Sequence, residues 1–358
     1  MSLTEMKASA SEILRPVIAA LIGLAVGVGL TWFSGEDPFF VASVLFEGAV
    51  GNSYNLGMTL FYTTPLIFTG LAVALPFHAG LFNIGAEGQL LMGTMAAAIC
   101  GIMMPPDSGI LAVISGTIVA FVAAALYGAI AGWIRARRGG HEVISTIMLN
   151  FIAAGITSWA VLYHFKSLDT QNPESARIAD SMLLTPFAFF EGAPVTVAFP
   201  LAILVAVIIW IVLNKTVFGF EVVATGQNPD AARVNGIDIA RIRILVLAIA
   251  GGLAGLVGLA EVFGNAGRFK IGFSADYGFV GIPVALLARC HPVGVIFSAF
   301  LFGALHKGSA ELDLETTYVT RDVSYLIQAM VILAVSADGI YWLRKRLKLG
   351  QKKGAAVV

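Results

Sequence analysis

Four polar side chains stand out in an apolar chain: Asn83, Glu87, Gln89 and Asn150. Three amides and a carboxylate among apolar neighbours can bind a polar solute or hold a broken helix together. Glu87 could also carry a proton. An ionisable group at membrane depth is costly unless it faces protein, water or a partner. Glycines 80, 85 and 88 let the backbone around the first three bend and pack closely. Irregular backbone at that depth survives only when it is buried in protein or lines a cavity. Two uses therefore stay open for Asn83, Glu87 and Gln89: lining a polar route, or capping the backbone of a helix break. Asn150 ends the stretch Ser145-Thr146-Ile147-Met148-Leu149-Asn150. It could face the route or bond a neighbouring helix, an interaction on the order of 1 kcal/mol.

Other chemistry finds no support. His141-Glu142 has no second histidine four residues after the first, so no zinc-protease signature exists. Five scattered histidines and two distant cysteines, Cys100 and Cys290, suggest neither a metal site nor a disulfide framework. Gly27-Val28-Gly29 follows no strand, so it is no dinucleotide fingerprint, and no Walker-type phosphate loop occurs. No cofactor is expected. A membrane-embedded enzyme would need a nucleophile and base, or a metal constellation, that this sequence does not offer.

The elements that must position these residues are membrane helices. The 358 residues are 58% hydrophobic and 12% charged, with a mean hydropathy of +0.87. A soluble domain carries about 25% charged residues, so this chain expects a lipid bilayer around it. Net charge is zero, and no basic patch with interleaved aromatics suggests nucleic acid. A hydrocarbon core takes ~20 apolar helical residues to cross. Qualifying stretches lie near 14–33, 55–78, 88–104, 109–133, 143–165, 196–213, 243–264 and 323–343. The first is read as a retained span, because no signal-peptide cleavage site follows it. The region 277–306 is interrupted by Arg289-Cys290-His291-Pro292 and is predicted as two short spans turning at Pro292. The expectation is a single all-α membrane domain over 1–358 with about ten transmembrane helices.

With the N-terminus inside, sixteen of the 22 basic residues fall in cytoplasmic segments, and the 34–54 loop carries none. Both termini are therefore expected to be cytoplasmic. Cys100 and Cys290 then lie near opposite membrane faces and cannot pair.

The chain also repeats itself. AGLFNIG at 79–85 returns as AGRFKIG at 266–272, and at the same offset Pro105 matches Pro292. Five expected spans separate equivalent points, so the copies must cross in opposite directions. Halves of roughly 55–165 and 243–343 would then form an inverted repeat, a common transporter build with the substrate route near the repeat interface. Gly251, Gly255 and Gly258 have the small-residue spacing of close helix packing.

The loop 214–243 is the longest cytoplasmic connection. Asn228-Pro229-Asp230 is a helix start and Gly236 a natural stop. A helix of about two turns is unstable alone in water. It must lie on its own membrane domain or on a soluble partner.

At this point the residues resemble a family. LFNIGAEGQLLMGTMAAA at 81–98, EVISTIMLNFIA at 142–153, GQNPDAARVNGIDI at 226–239 and VALLARCHPVGVIFSAFLFGAL at 284–305 resemble permease subunits of ABC importers for simple sugars, branched-chain amino acids and nucleosides. The likeness covers nearly the whole chain from about residue 50. FNIGAEGQ and EVISTIMLN most resemble nucleoside permeases that work with a basic-membrane-protein-type lipoprotein. The resemblance implies an ABC ATPase subunit, a second permease subunit, an extracytoplasmic substrate-binding lipoprotein and a bacterial inner-membrane location. It also implies that Ala224, Gly226, Asn228, Ala231, Ala232, Gly236 and Ile237 form the coupling segment that docks on the ATPase. Arg289-Cys290-His291 departs from the smaller or uncharged residues of relatives. The expected function is ATP-driven nucleoside import by alternating access. The alternatives are an ABC permease for a simple sugar and an ion- or proton-coupled secondary transporter.

Overall fold

The computed structural model describes residues 18–274 and 276–334. The described residues are helical apart from turns, connections and two isolated β-bridges. In chain order the helices are α1 (Ile18–Ser34), α2 (Pro38–Val50), α3 (Ser53–His78), α4 (Ala86–Met103), α5 (Ile110–Arg138), α6 (Glu142–Phe165) and α7 (Ala198–Lys215). There follow α8 (Val217–Gln227), α9 (Pro229–Val234), α10 (Ile239–Ala266), α11 (Tyr277–Leu287), α12 (Pro292–Glu315) and α13 (Val323–Ala334). Seven of them, α3, α4, α5, α6, α7, α10 and α12, are long and apolar enough to cross a membrane. The N-terminal basic residues Lys7 and Arg15 and the tail from Arg344 lie outside the described residues.

Two compact units divide the chain. One is Asn52–Ala304; the other joins Met1–Gly51 to Leu305–Val358. In the second, α1 packs on α13 through glycines: a Cβ on Gly27 would stand 2.8 Å from Ile327 Cα. Gly48 of α2 admits the Glu311 side chain, which also pairs with Lys307.

The larger unit is built around α3 and α10. Of their most apolar windows, 83% and 72% are buried, against 22% and 28% for α6 and α7. The first pair is therefore the centre and the second faces outward. Small residues make the centre possible. Gly251 and Gly255 press on the α5 backbone at Ala124 and Ala120, Gly93 of α4 meets Gly255, and Gly258 stands against Thr94 and Ala97. That is the packing role expected of the three α10 glycines. Gly281 of α11 meets Thr69 of α3 in the same way.

Two helices depart from the expected plan. The 34–54 stretch, read as a loop, contains α2, capped by Asp37 accepting from Phe39 N at 3.0 Å, with Pro38 in the first turn. The loop 214–243 contains α8 ahead of the expected short helix. The turn at Pro292 is present, but Pro292 opens a 24-residue helix that runs past the expected boundary at 306.

Candidate functional site

The first glycine phrase is a helix break. α3 stops at His78 because Gly80 takes a left-handed φ of +69°. The second phrase stops α10 in the same way, at Gly267 with φ +66°. Gly80 and Gly267 are equivalent positions of the two copies.

Pro76 leaves a gap in the last turns of α3. It has no N–H, so the Ala72 carbonyl four residues before it lacks its helical donor. Asn83 Nδ2 supplies the missing bond at 3.1 Å. The same amide donates to Gln89 Oε1 at 2.9 Å, while Asn83 Oδ1 accepts from Gly85 N and Gln89 Nε2, both at 3.1 Å. Asn83 is completely buried and Gln89 nearly so. Their polar atoms are spent on each other and on the break.

Asn150 and Glu87 cap helix ends that have no caps of their own. The residue ahead of α4, Gly85, offers no side chain, and the Gly88 N–H is one of the orphan donors of a helix start. Asn150 Oδ1 of α6 accepts it at 2.8 Å, and Asn150 Nδ2 donates to Ile84 O at 2.9 Å. The start of α11 also lacks a side-chain cap: Asp276 sits at φ +60°, and only its carbonyl bonds there, accepting Val280 N at 2.8 Å. Glu87 fills that role from α4: Oε2 accepts Gly278 N at 2.8 Å and Oε1 accepts the Ser274 hydroxyl. A carboxylate suits this place, with the positive ends of α4 and α11 both turned toward it. The helix starts touch backbone to backbone, since a Cβ on Gly278 would collide with Glu87 N and Cα.

Beside this junction lies a cleft of 360 Å³. Glu87, Asn150, Thr157, Ser158 and Ser274 supply its polar groups, and Phe151, Phe269 and Phe279 line it with aromatic side chains. The structure thus brings Glu87 and Asn150 to the cleft and sets Asn83 and Gln89 behind it. Ser274 and the three phenylalanines are missing from the sequence-based set. Ser274 had a findable signal: it stands at the repeat interval from Glu87. Phenylalanines at helical spacing are not distinguishable from core by type.

The expected coupling segment folds as its residues indicated. Asn228 Oδ1 accepts Ala231 N at 3.0 Å, Pro229 opens α9, and Gly236 has φ +85°. Ala232 is buried, Ala224 and Ile237 are half-buried, and Ala231 and Gly236 are exposed. Val234, 88% exposed, is an apolar tip that sequence reasoning passed over. Gly226 joins this segment to the break, since Gly80's Cβ position is 3.3 Å from Gly226 Cα.

Residues 55–336 match the family described as branched-chain amino acid transport system / permease component. The chain belongs to that family. This permease is 35% identical to the guanosine ABC transporter permease protein NupP of Bacillus subtilis, over 96% of this chain and 98% of that protein. It is 34% identical to the glucose ABC transporter permease protein TsgB13 of Haloferax volcanii, over 94% and 89%. It is also 34% identical to the nucleoside ABC transporter permease protein NupB of Lactococcus lactis, over 92% of each. As an ABC permease it is a multi-pass membrane protein and a transport component of an importer, whose ATP hydrolysis belongs to a separate ATPase.

Proposed function

We propose that this chain is the permease subunit of a nucleoside importer and that nucleoside passes by the cleft beside Glu87 and Asn150. The cleft chemistry carries the choice of substrate. Most of its polar groups are already engaged, with Ser158 the exception: Glu87 bonds Ser274 and Gly278, Asn150 bonds Gly88 and Ile84, and Thr157 bonds Ala153 O. A simple sugar, with a hydroxyl on nearly every carbon, would find few free partners. A nucleobase offers flat faces to Phe151 and Phe279, and base–aromatic stacking is worth about 1–3 kcal/mol per base. Names of relatives support the same reading, since two of the three reported act on nucleosides.

In this reading about ten spans cross the bilayer as an inverted repeat, with α1, α11 and α13 completing the seven longer helices. Shifted by the repeat interval of 187 residues, α3 falls on α10, α4 on α11 and α5 on α12. Five candidate spans lie between the two glycine phrases, which favours opposite threading. Both termini are cytoplasmic in the inner membrane of a bacterium. The segment holding Ala224, Gly226, Asn228, Ala231, Ala232, Gly236 and Ile237 docks on the ATPase. A second permease subunit and an extracytoplasmic binding lipoprotein complete the importer.

The test is uptake by the reconstituted importer. Labelled guanosine, adenosine or uridine should enter with ATP and be competed by other nucleosides but not by glucose. Glucose uptake without nucleoside uptake would put the chain with its haloarchaeal relative instead. Uptake without ATPase partner or ATP would favour a secondary transporter.

A further inference from the structure

The two copies of the phrase differ at two letters. Leu81 and Asn83 in the first copy correspond to Arg268 and Lys270 in the second. In the first copy both residues turn inward: Leu81 is 2% exposed, and Asn83 closes the gap left by Pro76. In the second copy Arg268 instead reaches a different part of the chain. The connection 166–197 between α6 and α7 doubles back and lays residues 173–178 along residues 267–271. Ile178 N donates to Gly267 O at 2.9 Å, Ser175 N to Phe269 O at 2.8 Å, and Ile271 N to Pro173 O at 3.1 Å. Ser175 Oγ accepts Phe269 N at 2.9 Å. Arg268 Nη1 pairs with Glu174 Oε1 at 2.6 Å, with both side chains largely shielded, and Thr170 donates to the same oxygen at 2.7 Å. Glu174 and Lys270 form a bridge across the ribbon.

The segment so held is the cleft wall. Phe269, Ile271, Gly272 and Ser274 all line the cleft, and Phe269 anchors the segment as a fully buried side chain. The first break is therefore fixed by its own buried amides and by Asn150 of α6, while the second is fixed by a strap from the connection 166–197. Separating one ion pair and a few backbone bonds would free the second without disturbing the first.

We propose that residues 173–178 are a releasable strap closing the cleft toward the extracytoplasmic side, with Glu174 and Arg268 as its latch. The inference rests on the cleft being the transport route, but not on which solute uses it. The two basic substitutions in the second phrase then have one purpose: they convert a fixed break into one that opens.

The experiment places a cysteine at Ala154, an exposed cleft position on α6, in the assembled importer with Cys100 and Cys290 replaced. A membrane-impermeant maleimide is added from the extracytoplasmic side. Glu174→Gln and Arg268→Gln should each raise the labelling rate by about tenfold, the factor that ~1.4 kcal/mol makes. The exchange Glu174→Arg with Arg268→Glu should return it toward the parent rate. Thr170→Val, which leaves every charge in place, should give a smaller increase and guards against misfolding of the charge variants. Single variants that label like the parent, or an exchange that labels as fast as they do, would overturn the latch. Because no solute is needed, the result stands apart from nucleoside specificity.

Discussion

Glu87 and Ser274 share a hydrogen bond, and they are 187 residues apart, the same interval that separates the two glycine phrases. In the proposed inverted repeat, a contact between equivalent positions falls on the two-fold axis. Here it falls where the starts of α4 and α11 meet. The carboxylate that stands out in the sequence therefore joins the halves and edges the cleft at once.

Removing that contact should weaken the junction in a graded way. Glu87→Gln keeps one acceptor oxygen; Glu87→Ala leaves Ser274 and the Gly278 N–H without a buried partner. Each unsatisfied group costs about 1–3 kcal/mol. Thermal unfolding of the purified permease should rank parent above Gln above Ala. An alanine variant as stable as the parent would remove the junction's structural importance.

Asn150 should behave as a two-armed cap. Asn150→Asp keeps the acceptor for Gly88 N and loses the donor to Ile84 O; Asn150→Leu loses both. A stability loss of about 1–3 kcal/mol for each unsatisfied backbone group makes Leu the worse variant. Equal stability of the two would contradict the capping account.

How much of this was legible beforehand varies by residue. Asn83, Glu87, Gln89 and Asn150 were visible because an amide or carboxylate in apolar sequence must have a partner. The partners were not visible: Gly278 N and Gly88 N are backbone atoms, and Ala72 O is free only because Pro76 follows four residues later. The short helix α9 was readable from Asn228, Pro229 and Gly236, since caps are local chemistry. The strap was not, because Glu174 and Arg268 are 94 residues apart and nothing local pairs them. α2 carried a signal in Asp37-Pro38 that charge counting passed over as loop.

Coupling should depend on Gly226. A Cβ there would stand 2.8 Å from Gly80 N and 2.9 Å from Ala79 C, and would also press on the His78 carbonyl. Gly226→Ala should leave membrane insertion intact but separate ATP hydrolysis from uptake, with uptake falling at least tenfold, the equivalent of about 1.4 kcal/mol. Parallel assays of phosphate release and solute uptake would read it. Unchanged coupling would remove this joint from the path. Gly236→Ala meets no neighbour, so its cost is only the strain of its left-handed backbone, about 1–2 kcal/mol.

The latch should not be a sensor of mild acid. Glu174 is held below the ordinary carboxylate range, foremost by the Thr170 hydroxyl and then by Arg268 and Lys270, against the opposing effect of burial. A carboxylate with a depressed folded pKa contributes fully above its unfolded value, and that contribution is lost only as pH falls through the lower folded one. Labelling of a cleft cysteine, corrected for maleimide reactivity, should therefore stay flat between about pH 8 and 5 and rise only below about 4, beneath the usual Glu value. A rise between about pH 7 and 6 would mean that Glu174 is not the group that holds the strap.

We propose that the two halves thread oppositely and share the cleft, and cysteine accessibility at matched turns measures this most directly. Asp107, two residues after Pro105, and His291, beside Pro292, are both exposed. In a background lacking Cys100 and Cys290, an impermeant maleimide added to intact cells should label Asp107→Cys at once and His291→Cys only after the membrane is opened. Labelling of both from the same side would contradict the inverted repeat and the shared cleft built on it.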